Sequence, residues 1–109
     1  ERLKLDQDEW LVTFQSRFGP REWLQPYTDK TLISLAKSGV KNINIVCPGF
    51  SADCLETLEE IAMEGKEEFL KFGGTDYKHI PCMNDNDDWV DVMASWIQNW
   101  HKTHNTIFK

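Results

Sequence analysis

A chain of 109 residues holds one domain at most, long enough to bury a core and too short for two. Its 28% charged and 40% hydrophobic residues exclude a disordered polymer. A net charge of -6 and a pI near 4.9 argue against nucleic acid, whose phosphates need clustered Lys and Arg, and leave cations as the expected ionic partners.

Three cysteines, Cys47, Cys54 and Cys82, form no C-x-x-C pair and leave an odd thiol, which points to a reducing cytoplasm rather than secretion. The longest apolar runs are a few residues, so no membrane span is expected. Five tryptophans are many for this length, and they would leave a bare aromatic surface if a covering partner were absent. The chain opens at Glu1 without Met, and an excised piece of something longer is the expectation.

Glu1 to Leu5 reads as the last turn of a helix, followed by a polar loop, Asp6 to Glu9. Trp10-Leu11-Val12-Thr13-Phe14 is β-branched and aromatic, the signal of a strand. Gly19-Pro20 punctuates the loop after it, which runs on through Pro26. Thr28 or Asp29 is placed to cap a helix whose buried stripe is Leu32, Leu35 and Ala36, with Gly39 as its stop. Lys41 to Cys47 holds the buried-strand run Ile43, Ile45, Val46 and Cys47, and Pro48-Gly49-Phe50 turns the chain. From Asp53 to Phe72 the spacing predicts a long helix, capped by Ser51 or Asp53 and closed by Gly73-Gly74. Tyr77 to Ile80 is a short third strand ended by Pro81. Asn84 to Asp88 is dense in capping residues. Trp89, Val92, Met93, Trp96, Ile97 and Trp100 then fall at amphipathic helical spacing, a stripe expected in a core. The tail, 101–109, is polar and expected to fray. This alternation makes an α/β fold with three parallel strands and helices on both faces.

In such a fold ligands bind just outside the carboxyl ends of the strands, which puts Cys47 to Glu60 first in line for chemistry. Along the long helix Leu55, Leu58, Ile61, Ala62 and Phe69 share a stripe at about 100° per residue. Glu56, Glu60 and Glu64 lie away from it, each about 40° further round than the last. Like charges four apart destabilise a helix. An acidic face opposite an apolar one is usually just solvated, and spacing alone does not make it a metal path. Position adds something: Asp53 and Glu56 stand in the first turn, where the helix dipole favours carboxylates and mutual crowding opposes it. A row of acids with staggered affinities suits handing on a divalent cation or protons, not holding one tightly.

Four separated motifs carry a resemblance: Phe14-Gln15-Ser16-Arg17-Phe18-Gly19-Pro20; Trp23-Leu24-Gln25-Pro26-Tyr27-Thr28-Asp29; Cys47-Pro48-Gly49-Phe50 with Ala52 to Glu60; and Ile80-Pro81-Cys82-Met83-Asn84-Asp85. In order and spacing, from Trp10 to about Trp100, the chain closely resembles the C-terminal half of bacterial ferrochelatases. The resemblance implies a Rossmann-like, three-layer, doubly wound α/β domain with a mostly parallel sheet. Residues 1–109 would then be one of two similar halves around a porphyrin cleft. The implied activity is insertion of ferrous iron into protoporphyrin to give protohaem. By motif, Glu56 takes the place of the family's active-site glutamate, and Glu60 and Glu64 continue the ridge along which metal or protons pass. In some members this helix is locally widened to a π-turn, which would rotate the ridge. Gln15, Ser16, Arg17, Trp23 and Phe50 are implied to face the macrocycle. From the residues alone, Trp23 also fits a loop anchor, Gln15 and Ser16 turn bonding, and Arg17 an ion-pair partner of the acids.

The family's catalytic histidine belongs to a motif of the other half and has no counterpart here: His79 precedes Ile80-Pro81, and His101 and His104 lie in the tail. Cys54 stands where some members carry histidine, as a thiol expected to be buried rather than a ligand. The three cysteines do not follow the pattern of members that hold an iron-sulphur cluster, so neither a cluster nor a permanently bound cofactor is expected. The implied partners are protoporphyrin, ferrous iron and the N-terminal half, and the chain alone is expected to be inactive. A chelatase for another tetrapyrrole or metal, and a non-catalytic metal- or tetrapyrrole-binding module, are the rival readings.

Overall fold

The structure, a computed structural model, describes residues 2–104. Two five-residue strands lie parallel at its centre, β1 (Asn42–Val46) and β2 (Asp76–Ile80), in register from Asn42 opposite Asp76 to Val46 opposite Ile80. Helix α1 (Thr28–Lys37) precedes β1, and α3 (Asp87–His104) follows β2. The crossover between the strands is a helical rod, a π-helix over Glu56–Gly65 that runs into α2 (Lys66–Lys71). The α/β class with a parallel sheet is therefore as the sequence pattern indicates.

Alternation along the strands turns Ile43, Ile45, Tyr77 and His79 to one face, where they are buried or half-buried, and leaves Asn44, Val46, Lys78 and Ile80 exposed on the other. Leu32 and Ala36 of α1, Phe69 of α2 and Tyr77 of β2 form the buried cluster, with Leu35, Val40, Ile43, Ile45 and Phe72 packed round it. The stripe of α1 is thus as expected, and Gly39, at φ +101°, supplies the left-handed turn that stops the helix. Its start differs, because neither Thr28 nor Asp29 caps it. The buried Thr28 hydroxyl meets the Thr13 hydroxyl at 2.8 Å, and Asp29 accepts the Lys30 N–H.

Trp10 to Phe14 does not form the expected strand. Phe14 makes a single parallel bridge with Tyr27, while Trp10, Leu11 and Val12 are exposed. The segment opposite includes Pro26, which accepts the Phe14 N–H but has no N–H to carry a ladder further. The sheet among the described residues therefore has two strands instead of three. Residues 2–5 make no helical turn, and Glu1 lies outside the described residues.

The tryptophan stripe is not core either. Helix α3 continues to His104 but packs against no other helix or strand, and Trp96, Ile97 and Trp100 are exposed. The rest of the tail expected to fray, 105–109, lies outside the described residues. The chain's accessible surface is 9054 Å², against about 6,300 Å² for a compact protein of its mass. Among the described residues no helix is long and apolar enough to cross a membrane.

The rod departs from the expected regular helix in a way that matters for the acids. Its buried row is Thr57, Ile61, Gly65 and, across the junction into α2, Phe69, a strict step of four. Leu55 and Leu58, expected in the buried stripe, are exposed. In an α-helix a step of four drifts by about 40°, so such a row would wind off the face. The wider π turn, bonded i to i+5, advances each residue by a smaller angle and keeps the row straight. Glu56, Glu60 and Glu64 keep the same step beside it. Gly65 brings the end of the π segment close: a Cβ there would lie 2.8 Å from the Tyr77 hydroxyl and 3.1 Å from Leu32 Cδ1.

Candidate active site

At the carboxyl ends of the strands, β1 leads into the Cys47–Phe50 turn and β2 into Pro81 to Asn84. The two segments are joined by the Asn84 N–H donating to the Ser51 carbonyl at 2.9 Å. Asp53 is their hub. Its N–H donates to Asn84 Oδ1 at 2.8 Å, and its carboxylate accepts Asn84 Nδ2 and the Thr57 hydroxyl, each at 2.8 Å, and the Cys82 N–H at 3.2 Å. The Asn84 amide above all, then Thr57 and Cys82, hold its carboxyl down at about 2, against the opposing pull of desolvation. Thr57, wholly buried, also accepts the Cys54 N–H at 3.0 Å, so the threonine inside the rod organises its entry and neither Ser51 nor Asp53 acts as a side-chain cap.

Two further groups face this hub. His79 Nε2 is buried without a hydrogen-bond partner, 4.0 Å from Asp53 Oδ1. Cys47 is buried and its thiol is pushed up to about 11, by burial first and then by the neighbouring Cys82, Asp53 and Cys54. Cys54 is half-buried rather than buried.

One turn on, Glu56, Glu60 and Glu64 line a shallow open cleft together with Leu55 and Glu59. Glu56 is exposed, and a hydrogen bond from the Cys54 side chain, followed by one from its own backbone, holds its carboxyl below the usual glutamate range. Glu64 is exposed as well. Glu60 is half-buried and takes two bonds from one residue: the Ser16 N–H to Oε1 and the Ser16 hydroxyl to Oε2, both at 2.7 Å. Ser16 sits at φ +59°, a left-handed conformation costing a non-glycine residue about 1–2 kcal/mol. Hydrogen bonds to a charged group are worth roughly 1.5–3 kcal/mol each, enough to offset it.

The structure thus brings Gln15, Ser16, Glu56 and Glu60 together. Gln15 Nε2 donates to the Glu56 carbonyl at 2.8 Å, and the Gln15 carbonyl accepts the Trp23 indole N–H at 3.2 Å, which makes Trp23 an anchor of this loop. Arg17 turns away from the acids and lies over the Tyr27 ring, 5.8 Å from its centroid. Phe50 is half-buried in the turn after β1. Among the described residues no three His, Cys, Asp or Glu side chains converge to hold a metal ion. The Asp53–Asn84 pairing and the approach of His79 were not foreseen, since Asp53 and Asn84 each carry a good local capping signal and nothing in sequence marks a partner 31 residues away.

A family model described as Ferrochelatase matches residues 1–101. The chain belongs to the ferrochelatase family. It is 57% identical over 98 residues to the ferrochelatase of Actinobacillus pleuropneumoniae serotype 5b, covering 90% of this chain and 31% of the relative. The ferrochelatase of Herminiimonas arsenicoxydans is 56% identical over 94 residues, 86% of this chain and 26% of the relative. That of Brucella ovis is 55% identical over 98 residues, 90% of this chain and 28% of the relative. The chain therefore spans less than a third of the length of these ferrochelatases. No solved structure matches it.

Proposed function

We propose that the chain supplies one wall of a cytoplasmic ferrochelatase's porphyrin cleft, in which ferrous iron is inserted into protoporphyrin to give protohaem. The opposite wall would come from an N-terminal half, part of the relatives' length that the match does not span, and without it the chain does not metalate porphyrin. Family membership supports the activity, and the surface in excess of a compact chain's supports the missing wall.

The observation that carries the reading is Glu56, an exposed carboxylate held ionised at the carboxyl edge of a parallel sheet. Metalation needs a cation delivered and two pyrrole protons removed. A carboxylate held below its ordinary range is a weak proton acceptor and a good cation partner. Glu56 would meet the iron, and the cation, by drawing electron density from the pyrrole nitrogens, eases loss of their two protons to water in the open cleft. Glu64, exposed further along the ridge, continues the path, with Glu60 between them. Gln15, Ser16, Trp23 and Phe50 would face the macrocycle, while Arg17 on Tyr27 supports the loop.

A transplant tests this. The 98 residues of the Actinobacillus ferrochelatase that match are replaced by this chain, and iron insertion into protoporphyrin is followed anaerobically by absorbance. The hybrid is expected to metalate, and its Glu56→Gln variant to lose on the order of 100-fold or more in kcat. A hybrid that turns over equally with Gln at position 56 would overturn the role of Glu56, and one that prefers another metal or tetrapyrrole would overturn the substrate.

A further inference from the structure

Both oxygens of the Glu60 carboxylate are engaged by one residue, at the short lengths of charge-assisted bonds, and that residue is held in a left-handed conformation. From Ser16 the connection continues: Gln15 Nε2 reaches the Ser16 hydroxyl at 3.3 Å and the Glu56 carbonyl at 2.8 Å, and Trp23 hangs by its indole from the Gln15 carbonyl. The loop is therefore fastened to the π segment at two points one turn apart, a carbonyl at 56 and a carboxylate at 60. Its neighbours on the ridge differ, since Glu56 and Glu64 are exposed and Glu60 is half-buried.

We infer that Glu60 is a positioning residue, which fixes the 15–17 loop and through it Trp23, rather than a ligand of the travelling cation. The inference rests on the reading of this cleft as the porphyrin site, and assigns within it a different task to the middle acid. A cation taking Glu60 would draw on the same carboxylate oxygens that hold the Ser16 N–H and hydroxyl, and would weaken the contact that holds the Ser16 φ. The carboxylates of Glu56 and Glu64 carry no such tie, and Glu56 meets the loop through its backbone carbonyl. All three acids line the cleft, and the middle one alone has its carboxylate tied to the loop.

The test uses the ¹⁵N-labelled chain and hydrogen exchange of the Ser16 amide and the Trp23 indole N–H. Glu60→Gln is expected to speed both by on the order of tenfold or more, with the Phe69 and Tyr77 amides unchanged. Ser16→Ala, which keeps the backbone donor and removes the hydroxyl, is expected to give a smaller change at the same two sites. If Glu60→Gln leaves Ser16 protected, or speeds the core amides by the same factor, Glu60 does not position the loop. Where Glu60→Gln does not fold, Ser16→Ala decides between the same outcomes. In a second arm zinc ions are added, and Ser16 is expected to stay protected; loss of its protection on zinc binding would make Glu60 a ligand and overturn the inference. In a third arm protoporphyrin is added to the transplant hybrid, which holds both walls, and to its Glu60→Gln variant. Binding that Glu60→Gln weakens by on the order of tenfold, with zinc binding unchanged, supports the positioning role. Absence of porphyrin binding in every variant counts against the porphyrin-site reading, while the exchange rates still decide the role of Glu60.

Discussion

Asp53 and Asn84 bond to each other in both directions, backbone N–H to side-chain carbonyl and side-chain amide to carboxylate, each at 2.8 Å. This exchange joins the entry of the helical rod to the segment after β2, so it sets the carboxyl edge where Glu56 stands. It also makes that edge sensitive to acid. The folded Asp53 value, about 2, lies below the ordinary value near 3.8, so the ionised hub stabilises the fold fully above about pH 4 and the contribution is lost as pH falls through about 2. Urea unfolding followed by circular dichroism at pH 7, 4 and 2 is expected to show stability falling across that window. Asp53→Asn should be less stable at pH 7 and should flatten the acid slope, and an unchanged slope would show that the hub titrates elsewhere.

The Tyr77 hydroxyl donates to the Ile61 carbonyl at 2.6 Å, inside the rod, and burial drives the phenol's pKa up. Tyr77→Phe leaves that buried carbonyl unsatisfied and is expected to cost about 1–3 kcal/mol. Gly65→Ala places a methyl against the same hydroxyl and against Leu32, and is expected to cost about 1–3 kcal/mol by overpacking. The two changes share one partner, so the double variant should fall short of their sum in a urea-melt cycle. Full additivity would place the effect of Gly65 elsewhere.

Much of the fold was legible because its signals are local. The alternation of Ile43 and Ile45, the Leu32–Ala36 stripe and the glycine at φ +101° that stops α1 each speak through neighbours in sequence. The strand at Trp10 to Phe14 was not, because β-propensity reports a surface fit to be paired, and the paired segment carries Pro26. The α3 stripe failed similarly: amphipathic spacing marks a face fit for burial without naming what buries it. The exposure of Leu55 and Leu58 had a readable sign. Thr57, Ile61, Gly65 and Phe69 repeat at four beside Glu56, Glu60 and Glu64, and a row of that period stays on one face only if the helix is widened. The candidate site was legible as motifs. Its joints, Ser16 to Glu60 and Asp53 to Asn84, were not, since each spans more than thirty residues, Ser16, Asp53 and Asn84 are also good local turn or cap residues, and Glu60 reads as a solvated helix acid.

The three thiols should differ in reactivity. Cys47, buried and pushed from 9.0 up to about 11, holds about a hundredfold less thiolate than an ordinary cysteine at the same pH. With iodoacetamide at pH 8 and mass mapping, the half-buried Cys54 and Cys82 are expected to label first and Cys47 last. In urea all three should label together. Early labelling of Cys47 in the folded chain would show that the turn after β1 opens.

Helix α3 is expected to be energetically separate from the core. Among the described residues it has no buried residue and packs on no other helix or strand, and Trp89 lies edge-on to Trp96 at 5.8 Å within it. Substitution of an exposed residue away from packing, caps and networks changes stability by about 0.5 kcal/mol or less. Trp96→Ala and Ile97→Ala should therefore leave the urea midpoint of the Tyr77–Phe69 core within that range, while Leu32→Ala costs about 2–5 kcal/mol. Trp96, 60% exposed, should also be quenched by acrylamide in the folded chain nearly as readily as in urea. A Trp96→Ala variant that loses core stability, or a Trp96 shielded from acrylamide, would show that the helix docks on the chain's own open sheet face, beside Val46 and Ile80, instead of standing free.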